Sequence, residues 1–142
     1  MDFSKIHMKD TKKVAVALIQ NEKGDYLLIQ QKAKDWGKLT DAWYPPAGHV
    51  RDNETVREGL IRELKEELNL DIKPIRLIST QNQDVKNEVA EWWKCKIIGG
   101  KINCNDGTIA NYKYFTKKQI RNLKLWPATR KFFEKFIWAQ GD

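Results

Sequence analysis

The sequence predicts an α+β layer fold in a single domain spanning residues 1–142, and two observations carry that reading. Strand-like and helix-like stretches are mixed, without the regular alternation of a doubly wound sheet. The chain's 142 residues, 41% of them hydrophobic and six of them tryptophan, suffice for one core and are too few for two comfortable ones.

Residues 14–20 (VAVALIQ) and 26–32 (YLLIQQK) read as strands of a leading hairpin around the loop NEKGD, where Gly24 supplies a positive φ. Residues 34–48 form a loop with two prolines. A helix follows, and then residues 72–80 (IKPIRLIST) read as a strand whose start Pro74 demotes to an edge or a bulge. Residues 88–104 (EVAEWWKCKIIGGKINC) read as a hairpin turning at Gly99 and Gly100, and residues 111–115 (NYKYF) as a last strand. Residues 116–123 and 127–140 read as helices, the first capped by Thr116 and the second opened by Pro127.

The mid-chain helix carries the chemistry. Thr55 and Glu58 form a capping-box pair, so the helix starts at Val56. At about 100° per residue, Val56, Leu60, Leu64 and Leu68 make one apolar stripe. Glu67 falls inside that stripe, about 20° from Leu60, and Glu63 lies on its edge with Glu66 further round. The three carboxylates are i, i+3, i+4 neighbours and converge on one patch. Asn69 stands where a left-handed residue closes a helix. Gly59, on the same side as Glu66, permits the close approach of another backbone.

Three like charges at that spacing repel, and a part-buried carboxylate is further penalised by desolvation. A cation belongs among them. A hard divalent ion, Mg²⁺ with Mn²⁺ as the alternative, takes clustered carboxylate oxygens; arginine partners would compensate the same charges structurally.

The formal charge of +7 is unevenly spread, because residues 48–70 carry a net of −2 and the remainder +9. Such a field attracts polyanions, nucleotides and RNA among them, although a lysine-rich surface also simply dissolves well. No apolar stretch of ~18 residues suited to a membrane span occurs, and the polar, basic start is unlike a secretory leader. Cys95 and Cys104 are too few for a zinc cluster or a disulfide framework and suit a reducing compartment, so a cytoplasmic location is expected.

Gly48, five residues, Glu54, seven residues and then RELKEELNL (62–70) resemble the Nudix box, G-x5-E-x7-R-E-U-x-E-E-x-G-U with U aliphatic. Eight of nine fixed positions match, Asn69 standing in place of the second glycine. The order of elements around the box is similar too. The resemblance implies a Nudix-type α/β/α sandwich with a mixed central sheet. It also implies a Mg²⁺-dependent hydrolase of a nucleoside diphosphate linked to another group. Glu63, Glu66 and Glu67 would hold the metal, the Ala47 carbonyl would be a further ligand, and Glu54 and Arg62 would form a structural ion pair beside Gly48. A water activated by the metal would attack phosphorus, with Glu63 the first choice of base and Glu66 or Glu67 the next.

Many family members supply another glutamate from a loop well after the box. Here the comparable region offers only Asp106, and Glu91 is the alternative, sharing a strand face with Trp93 and Cys95. For the base, Trp92 lies on the opposite face beside Lys94 and Lys96, an exposed stacker flanked by lysines or else a packed core residue. Trp36, Trp43 and Tyr44 on the approach loop are base-stackers or core. His49 is a local hydrogen-bond partner, and His7 has no assigned role. The expected substrate is a nucleoside triphosphate or related small nucleotide. Dinucleoside polyphosphates, nucleotide sugars and capped RNA are rivals, and a non-catalytic nucleotide- or RNA-binding module is the reading from another class. Nucleic acid is a less favoured partner, no membrane partner is expected, and monomer and homodimer both stay open.

Overall fold

A computed structural model describes residues 12–32, 37–104 and 107–141. Strands β1 (Lys12–Ile19), β3 (Ala47–His49), β4 (Leu70–Asn82) and β5 (Glu88–Gly100) form a four-stranded sheet in the order β3-β1-β5-β4. β1 runs parallel to β5 and antiparallel to β3, and β4 runs antiparallel to β5, so the sheet is mixed. Strands β2 (Tyr26–Gln31) and β6 (Ile109–Phe115) pair antiparallel in a second, two-stranded sheet. Among the described residues the α-helices are α1 (Val56–Leu68), α2 (Lys117–Ile120) and α3 (Pro127–Phe132), the last continuing as a wide turn over Phe133–Ile137 and a tight one over Trp138–Gln140. A tight helical turn also covers Gly37–Leu39.

β1 reads as a continuous apolar run because both its faces are covered. Val14, Val16 and Leu18 join Ala90 and Trp92 of β5 in a core closed by Phe132 and Phe133. Ala15, Ala17 and Ile19 face the other way and, with Cys95, meet Leu60, Leu64 and Leu68 of α1. The large sheet is therefore sandwiched between α1 and the C-terminal helical segment. The expected α/β/α layering with a mixed sheet is what the chain adopts.

Two strand pairings differ from expectation. Residues 14–20 and 26–32 are not partners in a ladder; β1 and β2 belong to different sheets, share core side chains, and are linked by a backbone bridge between Gln20 and Tyr26. Gly24 does take the positive φ, 85°. Residues 88–104 do not fold back at Gly99 and Gly100, because β5 runs unbroken to Gly100 and pairs along its length with β4. The glycines serve another purpose there. Gly100 has φ 83°, and a Cβ on it would lie 2.3 Å from the Asn69 carbonyl oxygen, so only glycine lets the strand end cross the end of α1.

The helix boundaries follow the sequence closely. The Thr55 hydroxyl accepts from the Glu58 amide at 3.1 Å, and Glu58 accepts from the Thr55 amide at 2.8 Å. Asn69 closes α1 at φ 58°, its amide bonded to the carbonyls of Leu64 and Lys65. Pro74 lies on edge strand β4, where the register with β5 shifts between Pro74 and Arg76. Thr116 caps α2 as expected, but that helix stops at Ile120 rather than running to residue 123. Among the described residues no helix is long and apolar enough to cross a membrane.

Candidate functional site

The outer edge of the large sheet is the three-residue strand β3, and α1 lies against it. Gly48 pairs with Ala15, whose side chain faces α1, so position 48 faces α1 as well. A Cβ there would sit 2.2 Å from Glu63 Cγ and 2.6 Å from Glu63 Oε2. The glutamate carboxyl group fills the space of the missing side chain. Gly59 serves similarly, although what approaches it is not another backbone. The Glu54 carboxylate and the Val50 methyls come within 2.9 and 3.3 Å of where its Cβ would be.

Arg62 ties these pieces together. Its Nη2 and Nε donate to the two oxygens of Glu54 at 2.7 and 3.1 Å, a bidentate fork. Nη1 donates to Glu63 Oε1 at 3.0 Å and to Glu66 Oε2 at 3.2 Å, and Nη2 also reaches the His49 carbonyl at 3.1 Å. The guanidinium holds the Glu54 carboxyl well below its usual range, at about 2, chiefly through those hydrogen bonds, with the Arg51 amide adding another. The same bonds raise the Arg62 pKa further, against the opposing effect of burial.

Arginine compensation, one of the two alternatives the sequence leaves open, is thus present in part. Glu54 alone already matches the Arg62 charge through the fork, so Glu63 and Glu66 share a cation that is paired elsewhere. Arg51 approaches Glu66 only to 3.9 Å on an exposed flank. The remaining donors are hard carboxylate oxygens on one face of one helix, which is the chemistry a divalent ion such as Mg²⁺ selects. Among the described residues no three such side chains are already gathered around one point. Arg62 Nη1 holds Glu63 and Glu66. The hard-oxygen donors and the cradle at Gly48 are of the chemistry that suits such an ion.

Glu63 and Glu67 open onto a cavity of about 440 Å³ that passes over β3 and β1 to β5 and α3. Its walls include Val14, Val16, Ala47, His49, Trp92 and Thr129. That volume lies in the range typical of small-molecule sites, about 300–1,000 Å³. His49 Nε2 and Glu88 Oε2 lie 2.6 Å apart in this wall, the local partnership expected of that histidine. Glu66 is not part of the lining and is half exposed.

The other candidate residues separate. Trp92 is buried rather than exposed: it is 1% accessible and stacks on Phe132 at 4.1 Å with the rings 9° from parallel. It nonetheless reaches the cavity wall. Lys94 is exposed and outside the lining. Trp43 packs edge-on against Phe115 at 4.9 Å, on the core side of the approach loop, whereas its neighbour Tyr44 lines the cavity. Glu91 falls in the same cross-strand row as Ala15 and Gly48, and its Oε1 accepts from the Trp93 indole at 3.1 Å. It does not line the cavity. Asp106, Trp36 and His7 lie outside the described residues.

A model of the NUDIX domain matches residues 10–136. The chain belongs to the Nudix family. The solved MutT NUDIX hydrolase from Burkholderia pseudomallei superposes on this Nudix chain with a TM-score of 0.75 at 21% identity, covering 89% of this chain and 98% of that one. Among curated relatives, an 8-oxo-dGTP diphosphatase from Proteus vulgaris is 26% identical over 114 residues, 75% of this chain and 95% of that protein. An 8-oxo-dGDP phosphatase from Mus musculus is 34% identical over 70 residues, 49% of this chain. This Nudix chain spans between 20% and 24% of the lengths of four curated relatives.

Sequence reasoning missed Gln83, Trp126 and Thr129 as parts of the cavity wall. Gln83 carries no periodicity signal, being just past the end of β4. A hint of its placement lies in Asp84, whose two carboxylate oxygens both accept from the Ala128 amide at 3.1 Å. Helix α3 opens with a proline and no local side-chain cap, so its amide is satisfied from the β4–β5 turn.

Proposed function

We propose that this chain hydrolyses a diphosphate bridge in a nucleoside triphosphate or a related nucleoside diphosphate derivative, as a Mg²⁺-dependent Nudix pyrophosphohydrolase. The observation that carries this reading is the seating of Glu63 in the Gly48 cradle at the mouth of a ligand-sized cavity. Glu63, Glu66 and Glu67 are the residues proposed to hold the ion, with the Ala47 carbonyl beside them. When bound, such an ion supplies charge neutralisation on phosphate oxygens and lowers the pKa of water.

The chain's own groups do the rest. Arg62 anchors Glu63 Oε1 and so orients that carboxylate. Glu63 is the first candidate to take the proton of the attacking water, with Glu66 or Glu67 next. The water oxygen bonds to phosphorus, the bridging P–O bond breaks, and its electron pair leaves with the departing phosphate. The apolar stretch of the cavity, from Val16 to Trp92, receives the nucleoside.

The test is a panel of the four common deoxynucleoside triphosphates, 8-oxo-dGTP, ADP-ribose, diadenosine tetraphosphate and a 5′-triphosphorylated RNA, assayed with Mg²⁺ and again with EDTA. Turnover of a small nucleotide with Mg²⁺ and its loss in EDTA support the reading. No turnover of any of them with Mg²⁺ or Mn²⁺ overturns it.

A further inference from the structure

Two buried polar atoms, Trp92 Nε1 and Gln83 Oε1, have no hydrogen-bond partner among the described residues, and both residues line the same cavity. Buried polar groups are ordinarily paired, so two orphans on one cavity wall ask for a common explanation. The orphans are a complementary set. An indole N–H can only donate, and a carboxamide oxygen can only accept.

Both orphans sit on anchored parts of the chain. The Trp92 ring is held between the sheet and Phe132 by their stacked contact. A phenylalanine in that place would stack as well and carry no unsatisfied donor. Gln83 is fixed through its backbone, whose amide donates to the Glu88 carbonyl at 3.0 Å. The next residue, Asp84, is tied to the start of α3. Gln81 adds a bond from its Nε2 to the Ala128 carbonyl at 3.1 Å. The turn carrying the carboxamide is therefore fastened to the helical wall that faces Trp92.

Their position relative to the glutamates is also fixed by register. Ala47, Val16 and Trp92 stand in one cross-strand row over β3, β1 and β5. Two inter-strand spacings separate Ala47 from Trp92, about 10 Å. That is of the order of the span of a sugar with its first phosphate. A ligand whose phosphates lie at Glu63 and Glu67 thus presents its other end at Trp92.

We infer that Trp92 and Gln83 are specificity residues that read the edge of a nucleobase, the Trp92 indole N–H donating to a ring nitrogen or carbonyl of the base and Gln83 Oε1 accepting from a base N–H. The inference rests on the nucleotide reading of the site. It deepens that reading by naming the groups that discriminate one base from another. A site built from buried hydrogen-bonding groups rejects the wrong ligand strongly, because the mismatch leaves its own groups unpaired.

The experiment uses the full chain, ¹⁵N-labelled, in EDTA so that binding is read without turnover. Six tryptophans give six indole N–H resonances, and Trp92→Phe identifies one of them by its loss. The probes are dGMP, dAMP, dCMP, dTMP and, as a base-free control, ribose 5-phosphate. The expected result is a downfield shift of the Trp92 indole signal with the preferred nucleotide and none with ribose 5-phosphate. Trp92→Phe and Gln83→Met should each weaken that nucleotide about tenfold and level the kcat/KM ranking among the four triphosphates. Gln83→Met lies in a half-exposed turn, so it decides the question even where Trp92→Phe is poorly folded.

If a nucleotide binds and shifts other signals but leaves the Trp92 indole unmoved, the inference fails. It fails equally if Gln83→Met keeps the wild-type ranking of bases; water then satisfies these atoms. Hydrolysis with an unchanged ranking sinks the base readout and leaves the hydrolase standing. A nucleotide-dependent indole shift without hydrolysis of any nucleotide in Mg²⁺ does the reverse. Absence of binding by all four nucleotides sinks the base readout and leaves the hydrolase to be decided by the turnover panel.

Discussion

Gly48 and Glu63 occupy one another's space: the carboxyl group of the glutamate lies where a side chain on residue 48 would have to go. A single methyl group at residue 48 therefore tests whether that placement matters to the chemistry. The atoms it meets are the far end of a flexible side chain, so Glu63 can move aside and the fold need not. Gly48→Ala should leave the urea midpoint close to wild type while lowering kcat by about 100-fold, the scale of a misplaced catalytic group. Wild-type turnover in a folded Gly48→Ala protein would remove Glu63 from the proposed chemistry.

Glu67 faces the same cavity from within the apolar stripe of α1. Its replacement by glutamine keeps the shape and removes the charge. Glu67→Gln should fold and lose at least about 100-fold in kcat with Mg²⁺ present, the scale of removing one electrostatic stabiliser. Direct titration of Mn²⁺ into the nucleotide-free protein should show weaker uptake by the variant. Equal Mn²⁺ affinity in the two proteins would assign Glu67 to packing.

Much of this site is legible in the sequence because it is local. The spacing of Glu63, Glu66 and Glu67 along one helix, the Thr55–Glu58 box and the closing Asn69 all concern residues within a few turns of each other, where helical geometry alone decides who meets whom. The pairing of Glu54 with Arg62 was expected from the motif, and the fork is there. What was not legible depends on register between distant strands. The apolar character of residues 14–19 says that β1 is buried on both faces, but not that its partner is β5 in parallel rather than β2 in a hairpin. The two glycines after Ile98 look like a turn, since nothing local shows that one of them is needed by the end of α1. The two readings of Trp92 stay open in the sequence for a related reason: its lysine neighbours in the strand suggest solvent, while Phe132, forty residues on, covers it.

The end of α1 offers a stability test of the one motif position at which the chain departs from its family. Asn69 adopts φ 58° and ψ 32°, and its side-chain amide donates to the Lys101 carbonyl at 3.2 Å. Glycine removes the left-handed penalty and the hydrogen bond together, so Asn69→Gly should change stability by less than about 0.5 kcal/mol. Asn69→Ala keeps the penalty without the bond and should cost about 1 kcal/mol. Gly100→Ala, which drives a Cβ into the Asn69 carbonyl at positive φ, should cost about 2 kcal/mol or more. Chemical denaturation of the three variants checks the order, and an Asn69→Gly protein less stable than Asn69→Ala would contradict it.

The Glu54–Arg62 fork should give stability a specific dependence on acid. The folded Glu54 carboxyl is lowered from 4.5 to about 2. With its unfolded value near the ordinary one, the unfolded chain binds more protons than the folded chain between those two pH values, so stability rises with pH through that window. The contribution is fully present above about pH 4.5 and is lost as pH falls toward 2. Glu54→Gln removes the titrating group and leaves the Arg62 charge with Glu63 and Glu66 as its carboxylate partners. The variant should be less stable than wild type at pH 7, and the gap between the two should narrow steadily from pH 4.5 to pH 2. Urea titrations at half-unit steps through this range read the gap directly. Two curves that stay parallel through the window would show that the fork carries no pH-dependent stability.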